Sequence, residues 1–257
     1  MTKKHIVMFS GGKDSTAMLL KMQELRMRID EIINLDSTWE FPAAREHIYR
    51  IEKFIGRPIT RIEIPMDYYF SEHVKIKGKR KGECGYGWPT CTSRWCAGMK
   101  RKYMGEYMRQ FTPKETIQYH GIAANEMVRT LKNQKYGNKK IDIRHPLVAL
   151  GMKESDCLQF CYSRGFDFGG LYRDFNRVSC FCCPLKRISE LRTIYKKYPD
   201  LWRRMLEMDS KTKSIFKWRK DPKNTYRIID LQRRFQEEDS YNGHQENRYR
   251  KTKTGGV

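Results

Sequence analysis

No run of 18 apolar residues occurs in the 257-residue chain, and its absence excludes a conventional membrane-spanning helix. The sequence also contains no internal repeat, which excludes solenoid and propeller architectures. Residues 1–4, Met-Thr-Lys-Lys, lead directly into an apolar segment that is too short for the core of a signal peptide. These absences predict a cytoplasmic protein with no membrane partner.

Acidic residues are scarce relative to basic ones. The chain has 30 Asp plus Glu against 52 Lys plus Arg, for a net charge of +22. A field of that sign attracts polyanions, so DNA or RNA is the expected macromolecular partner. The alternative is a basic enzyme whose nucleotide substrate accounts for part of the charge.

A glycine-containing segment follows the first apolar run, Ile6 to Phe9, and precedes a helical pattern. It consists of Ser10, Gly11, Gly12, Lys13, Asp14, Ser15 and Thr16. Two glycines allow close backbone approach, and the first N–H groups of a helix point at the ligand, so the segment predicts a phosphate site. Lys13 adds a mobile positive charge, and Asp14 is a helix cap or a metal ligand. The alternative is a turn that binds nothing.

The apolar patterns predict an α/β fold with five strands separated by helices. The strands are expected at residues 6–9, 31–36, 59–64, 116–119 and 141–143. Such an order predicts a doubly wound parallel sheet. Ligands bind beyond the carboxyl ends of the strands in such sheets, where Ser10 to Ser15 and Asp36 would both lie.

The composition predicts three regions. Residues 1–185 form the nucleotide-binding domain, residues 186–236 a basic helical extension, and residues 237–257 a disordered tail with almost no apolar content. From residue 186 onward 20 basic residues face 10 acidic ones, a net charge of +10, interleaved with aromatic residues. Those aromatics are Trp202, Phe216, Trp218 and Tyr226.

A second basic segment runs from Lys75 to Lys102. We expect a loop over the active edge of the sheet, with Tyr86, Trp88 and Trp95 available to stack on bases. The alternative is a solvated charged face.

The eight cysteines would sit in a reducing compartment, where clusters indicate metal binding or catalysis more often than disulfides. Cys157 and Cys161 share one face of a predicted helix and are interpreted as buried thiols. Cys180 and Cys183 form a Cys-x-x-Cys pair before Pro184. This pair has three interpretations: a cluster or zinc clip, a redox dithiol, or coincidence.

The spacing Ser-Gly-Gly-Lys-Asp-Ser differs from the common phosphate loop and resembles the pyrophosphate loop (PP-loop) of the adenine-nucleotide alpha-hydrolase superfamily. Within it, further blocks resemble the phosphoadenosine phosphosulfate (PAPS) reductase family over roughly residues 5 to 185. They lie at residues 36–42, 120–129, 144–147, 171–172 and 179–184. Three positions depart from that pattern, namely Ala123, Asn125 and Met127. The resemblance implies a Rossmann-like nucleotide-binding domain that splits ATP between its alpha and beta phosphates.

The resemblance also implies the site residues. Lys13, Asp14 and Ser15 would be catalytic, and ATP with Mg²⁺ would lie against Ser10, Gly11, Gly12, Asp36, Gly121 and Glu126. Residues 94–100 resemble the block of iron–sulfur members that supplies a cysteine before a lysine. A 4Fe-4S cluster would therefore be held by Cys96, Cys180, Cys183 and Cys91, with Cys84 and Cys182 as substitutes for Cys91. Zn²⁺ is the alternative, since thiolates suit both.

A sulfonucleotide reductase of this family needs a mobile cysteine near its C-terminus, and no cysteine follows Cys183. The leading hypothesis is an ATP pyrophosphatase that adenylates a substrate, with nucleic acid as the expected substrate class, for sulfur transfer. A cysteine desulfurase or another sulfur donor would supply the sulfur atom. Two alternatives remain: a sulfonucleotide reductase that uses an external thiol, and a nucleic-acid-binding module that has lost catalysis.

Overall fold

The computed structural model of the chain describes residues 2–78, 80–128, 141–217 and 225–254, with side chains as far as residue 241. Its contacts divide the chain into two compact units. The first contains Met1–Met66 and Cys96–Cys180, and the second contains Asp67–Trp95 and Phe181–Val257. Arg129 and Trp218, which the sequence analysis considered, lie outside the described residues.

The first unit is built on a five-stranded, wholly parallel sheet, which confirms the predicted fold class. The strands are β1 (Lys4–Met8), β2 (Glu31–Asp36), β3 (Thr60–Glu63), β4 (Thr116–His120) and β5 (Asp142–Arg144). Their order is β3-β2-β1-β4-β5. The chain therefore winds outward from β1 in one direction and then returns to continue on its other side. The reversal lies between β1 and β4, where such sheets open a ligand crevice.

Helices surround this sheet. They are α1 (Lys13–Glu24), α2 (Pro42–Ile55), α4 (Trp95–Met108), α5 (Pro146–Ala149), α6 (Glu154–Ser163) and α7 (Leu171–Asp174). Helix α3 (Met66–Ser71), which follows β3 in the chain, belongs to the second unit from Asp67 onward. The apolar face of α2 buries Ile48 and Ile51, and the helix ends at Gly56 in the left-handed conformation, as its sequence predicts. Cys157 and Cys161 are fully buried on α6, which confirms their interpretation as core thiols.

The second unit is mainly helical. Besides α3, its helices are α8 (Ile188–Lys197), α9 (Pro199–Ser210) and α10 (Ile228–Thr254). Trp202 and Phe235 pack together with ring centroids 5.8 Å apart and are buried with Leu191 and Leu231.

Two local predictions differ from the structure. Helix α4 begins at Trp95, near the end of the segment that we expected to be a loop from Lys75 to Lys102, because Ala, Met, Lys and Glu are strong helix formers there. Helix α10 continues to Thr254, where a disordered tail was expected from residue 237. Ion pairs support its middle, since Glu238 and Asp239 both bond Arg192 of α8, and Asp239 also pairs with Lys196.

The basic segment from Lys75 to Lys102 also exposes less aromatic surface than its composition suggests. Trp88, which we expected to stack on bases, is only 2% exposed. Its Nε1 donates to Asp209 over 2.8 Å, and its ring packs against Phe70 and Phe216. Trp88 is therefore a core residue of the second unit.

Among the described residues, no helix is long and apolar enough to cross a bilayer.

Candidate functional site

The segment between β1 and α1 is a compact turn in which the Ser10 and Ser15 hydroxyl groups make hydrogen bonds to other atoms of the same turn. Ser15 Oγ donates to the Gly12 carbonyl over 3.0 Å and accepts the Ser10 amide over 3.2 Å. Gly11 has φ +73°, and a Cβ there would lie 2.9 Å from Ile48 Cγ1, so this position requires glycine. Helix α1 starts after Gly12, which contributes no side-chain cap. The turn thus presents backbone and a helix start at the carboxyl end of the central strand.

The ammonium of Lys13 lies between two carboxylates. Nζ donates to Glu154 Oε2 over 2.6 Å and to Asp14 Oδ2 over 3.1 Å. Burial alone would lower the pKa of Lys13, but the hydrogen bonds and charges of Glu154 and Asp14 outweigh it and raise the pKa. The lysine is therefore a permanent cation held at the beginning of α1.

One carboxylate oxygen of Asp14 accepts no hydrogen bond within the described part of the chain. Its Oδ1 is buried and has no hydrogen-bond partner among the described residues. Burial raises the pKa of Asp14, Lys13 lowers it, and the charges of Glu154 and Glu126 raise it further. A buried, unsatisfied carboxylate oxygen fits a hard cation such as Mg²⁺, which takes oxygen ligands.

Two residues distant in sequence close around the turn. A Cβ on Gly121 would lie 2.7 Å from Ser15 Cα and 2.8 Å from its nitrogen, so the end of β4 packs directly on the first turn of α1. The Lys13 amide donates to Tyr172 Oη over 2.8 Å. The structure thus brings Gly121 to the predicted phosphate segment, and it adds Tyr172 and Glu154, which the sequence analysis did not assign.

Asp36 lies at the end of β2, as predicted, but its carboxylate is already bonded. Oδ1 accepts the Thr38 amide over 2.9 Å and Arg45 Nη2 over 2.8 Å. Thr38 adopts φ +55°, which is uncommon for a residue with a β-branched side chain. Asp36 therefore shapes the turn after β2, and the backbone of that turn is the part that can contact a ligand.

A second polar cluster in the first unit contains two of the predicted metal ligands. Cys180 Sγ lies 3.5 Å from Ser37 Oγ and 3.8 Å from Glu40 Oε1, and Lys100 Nζ donates to Glu40 Oε1 over 3.3 Å. Burial opposes the charge of Lys100, but Cys180, Glu40 and Cys96 together raise its pKa. The Cys96 and Cys180 side chains therefore lie in the field of the same ammonium, that of Lys100.

The other predicted ligands belong to the second unit. Cys91 and Cys84 are exposed, Cys183 is partly exposed and Cys182 is fully buried. The buried ammonium of Lys217 donates to the carbonyls of Pro184 and Lys186 over 3.0 and 2.6 Å, fixing the turn beyond Cys183. The fully buried Cys182 is packed inside the second unit. No group of three or more metal-binding side chains forms within the described part of the chain.

Comparison with known proteins gives distant relatives. No protein-family model matches the chain. It is 25% identical over 206 residues to an uncharacterized protein of Methanocaldococcus jannaschii, MJ0066, a match that covers 78% of this chain and 40% of that protein. A second uncharacterized protein of that organism, MJ0973, is 25% identical over 230 residues, covering 83% of this chain and 51% of its own length. The chain therefore spans about half, or less, of the length of the curated relatives that it matches.

Two solved structures have some likeness to the chain. The U34-tRNA thiolase NcsA from Methanococcus maripaludis, solved with its 4Fe-4S cluster, matches with a TM-score of 0.42 and 14% identity, covering 80% of this chain and 74% of that one. The NH3-dependent NAD synthetase from Campylobacter jejuni matches with a TM-score of 0.40 and 14% identity, covering 92% and 85%. At these values the likeness assigns neither a reaction nor a substrate to this chain.

Proposed function

We propose that the chain is an ATP pyrophosphatase of PP-loop type that adenylates an oxygen of its substrate, releases pyrophosphate, and prepares the substrate for sulfur transfer. In the first step the substrate oxygen attacks the alpha phosphorus and the bond to the bridging oxygen breaks, so pyrophosphate leaves. In the second step a sulfur nucleophile displaces AMP. The nucleotide would occupy the crevice between β1 and β4.

One observation carries this proposal: the Ser10–Ser15 turn lies at the reversal point of the sheet, with Gly121 packed against it. A phosphate chain placed there meets a helix start, backbone amides and the ammonium of Lys13. These groups bind and neutralise the leaving pyrophosphate, which is electrostatic stabilisation of the kind that dominates phosphoryl chemistry.

Each residue of the turn has a distinct role in the proposal. Lys13 exchanges a carboxylate partner for a phosphate oxygen. Asp14 would hold Mg²⁺ through its unsatisfied Oδ1, and the cation would supply further neutralisation of phosphate charge. The turn after Asp36 takes the adenosine with its backbone. Gly121 closes the other side, because without a side chain it lies directly against Ser15.

The thiols are assigned to a metal group in the same proposal. Cys96 and Cys180, supported by their shared ammonium Lys100, would hold a 4Fe-4S cluster with Cys183 and Cys91, or Zn²⁺ in its place. If Cys91 is not a ligand, three thiolates would leave one iron of the cluster open to bind a sulfur atom. Iron and sulfide analysis after anaerobic purification tests this. Cys180→Ala should lose the iron, whereas Cys157→Ala, which removes a buried core thiol, should keep it; stoichiometric zinc without sulfide would contradict the cluster.

Nucleic acid is the proposed substrate class because the chain carries a net charge of +22. A small-molecule substrate would not require so strong a field. A cysteine desulfurase or a comparable sulfur donor would supply the sulfur atom.

The experiment is pyrophosphate release from ATP, measured with and without RNA or DNA. We expect release to depend on the polymer and Lys13→Ala to lower kcat/KM about 100-fold or more, the cost of removing a preorganised charge. Lys21→Ala is the matched control, since Lys21 lies on the same helix but pairs with Glu24. Release that needs no polymer would replace nucleic acid with a small-molecule substrate, and undetectable release would contradict the proposal.

A further inference from the structure

Residues 74–78 and 80–84 form the two arms of a hairpin in the second unit, called here the basic hairpin; Lys79, between the arms in the sequence, lies outside the described residues. Val74 and Cys84 make an antiparallel bridge. The Lys75 amide donates to the Glu83 carbonyl over 3.0 Å, and the Gly82 amide donates to the Lys75 carbonyl over 2.8 Å. Its sequence carries five basic residues and a single acidic residue.

The basic hairpin is rigidly anchored to the second unit. Gly85 has φ +65°, and a Cβ there would lie 2.2 Å from the Phe70 carbonyl oxygen. Gly87 is equally tight, since a Cβ would lie 2.2 Å from Ser214 Oγ. The Trp88 amide donates to Ser214 Oγ over 2.7 Å. The chain therefore leaves the hairpin through two positions that only glycine can occupy and enters the core at Trp88.

Stacked rings stiffen the base of the hairpin. The Tyr86 ring lies between His73, at 5.4 Å, and Trp95, at 5.3 Å, with interplanar angles of 27° and 25°. Trp95 Nε1 donates to the Gly87 carbonyl over 3.0 Å. These half-buried rings hold the two strands at a fixed orientation.

The outer part of the hairpin combines cations with exposed aliphatic side chains. Lys77, Arg80 and Lys81 are exposed, and Ile76 and Val74 are 69% and 49% exposed. Hydrogen bonds from Arg80 and Lys75 lower the pKa of Glu83, so that carboxylate stays charged and organises the turn. The cations lie beside two exposed aliphatic side chains, Ile76 and Val74, and this combination fits a partner with anionic and apolar parts.

We propose that the basic hairpin is the binding surface for unpaired nucleotides of the nucleic acid. Its cations contact phosphates, and Ile76 and Val74 contact base faces, which a duplex hides by stacking. This assignment rests on the proposed function for the kind of partner and adds to it the binding surface and the unpaired state of the strand.

The test is fluorescence anisotropy with labelled 20-nucleotide single-stranded RNA, single-stranded DNA and duplex DNA, titrated with the full chain without ATP. The variant Lys77→Gln/Arg80→Gln/Lys81→Gln should bind single strands about 10-fold or more weakly in about 0.1 M salt, with a salt slope lower by about 2. Ile76→Ser should weaken binding about fivefold without changing the slope.

The matched control is Lys53→Gln/Arg109→Gln/Lys114→Gln, which removes three exposed cations of the first unit and should retain most of the affinity. Stronger binding of RNA or of DNA identifies which polymer the hairpin takes. The proposal is overturned if the hairpin variant binds like the control variant, if duplex binds as tightly as single strands, or if the unmodified chain binds none of the three probes. Because ATP is absent, these outcomes are distinct from failure of pyrophosphate release.

Discussion

At the scale of single residues, the account depends on how the Lys13 ammonium is held. Glu154 and Asp14 each accept a hydrogen bond from it, and these carboxylates, with Glu126, place negative charge beside a segment that must bind phosphate. In the unliganded protein they keep the lysine ordered. On nucleotide binding they oppose the incoming anion, so the pair with Glu154 must be broken or shared.

We therefore expect Glu154→Gln to bind a non-cleavable ATP analogue about fivefold more tightly, because one repulsive charge is removed from a partly exposed position. Calorimetric titration measures this directly. Glu24→Gln is the matched control, since Glu24 pairs with Lys21 over 2.9 Å at the far end of α1 and should leave the affinity unchanged. Weaker binding by Glu154→Gln would show that the carboxylate helps to hold the nucleotide.

The sequence pointed to the residues of this candidate site that are close together along the chain and, through the family resemblance, to Gly121. It missed Tyr172 and Glu154. Ser10 to Ser15 are contiguous, so the pattern of glycine, lysine and helix start is readable. Tyr172 and Glu154 reach Lys13 from 159 and 141 residues away. No spacing rule predicts such pairs, because tertiary packing alone sets them.

At the scale of elements, the end of β4 packs directly against the start of α1. Gly121→Ala should cost about 1–3 kcal/mol of stability, because its Cβ would press on Ser15 Cα and nitrogen and overpack the site. It should also abolish ATP binding by displacing the helix start. Urea unfolding and calorimetry measure the two effects.

Gly105→Ala is the control for that substitution. Gly105 lies within α4, and a Cβ there meets no atom within 4 Å. Alanine at this position should stabilise the helix by up to about 1 kcal/mol. Equal effects of the two substitutions would contradict the close packing of β4 against α1.

Regular elements were predictable where hydrophobic periodicity is strong, and irregular ones were not. Strand β2 occupies the predicted residues, Glu31–Asp36, because a short apolar stretch, interrupted by Asn34, ends at an acidic residue. The basic hairpin and α4 were read as one loop, since charge and glycine mask both the bridge at Val74 and the helix formers after Trp95. Trp88 was misread because the sequence does not reveal its partner Asp209.

At the scale of the whole molecule, a buried histidine couples stability to pH. His47 is 1% exposed and accepts or donates a 3.0 Å hydrogen bond with Thr16 Oγ1. Burial, with the charge of Arg50, lowers its pKa to about 4, against about 6.5 in an unfolded chain. Between these values the unfolded state binds the proton and the folded state does not, so stability falls as the pH is lowered.

From pH 7 to pH 5 this residue should account for a loss of about 2 kcal/mol in unfolding free energy. Urea unfolding at the two pH values measures it. His47→Gln should be less stable at pH 7, because the site is packed, but should lose that part of the pH dependence. A variant with the same pH dependence as the unmodified chain would assign the acid sensitivity to other groups.

The division into two compact units was also not readable from the sequence. Residues 67–95 belong with the C-terminal helices, although they lie between β3 and β4 in the chain. Composition predicts a boundary near residue 185, close to the boundary after Cys180, but it cannot reveal that an inserted segment joins the later helices.

The most direct test of the central claim is to identify the products of ATP cleavage by ³¹P NMR, with Mg²⁺ and single-stranded nucleic acid present. The account predicts AMP and pyrophosphate, because the turn at Ser10–Ser15 is assigned to hold the leaving beta and gamma phosphates. ADP with inorganic phosphate, or intact ATP after prolonged incubation, would contradict it.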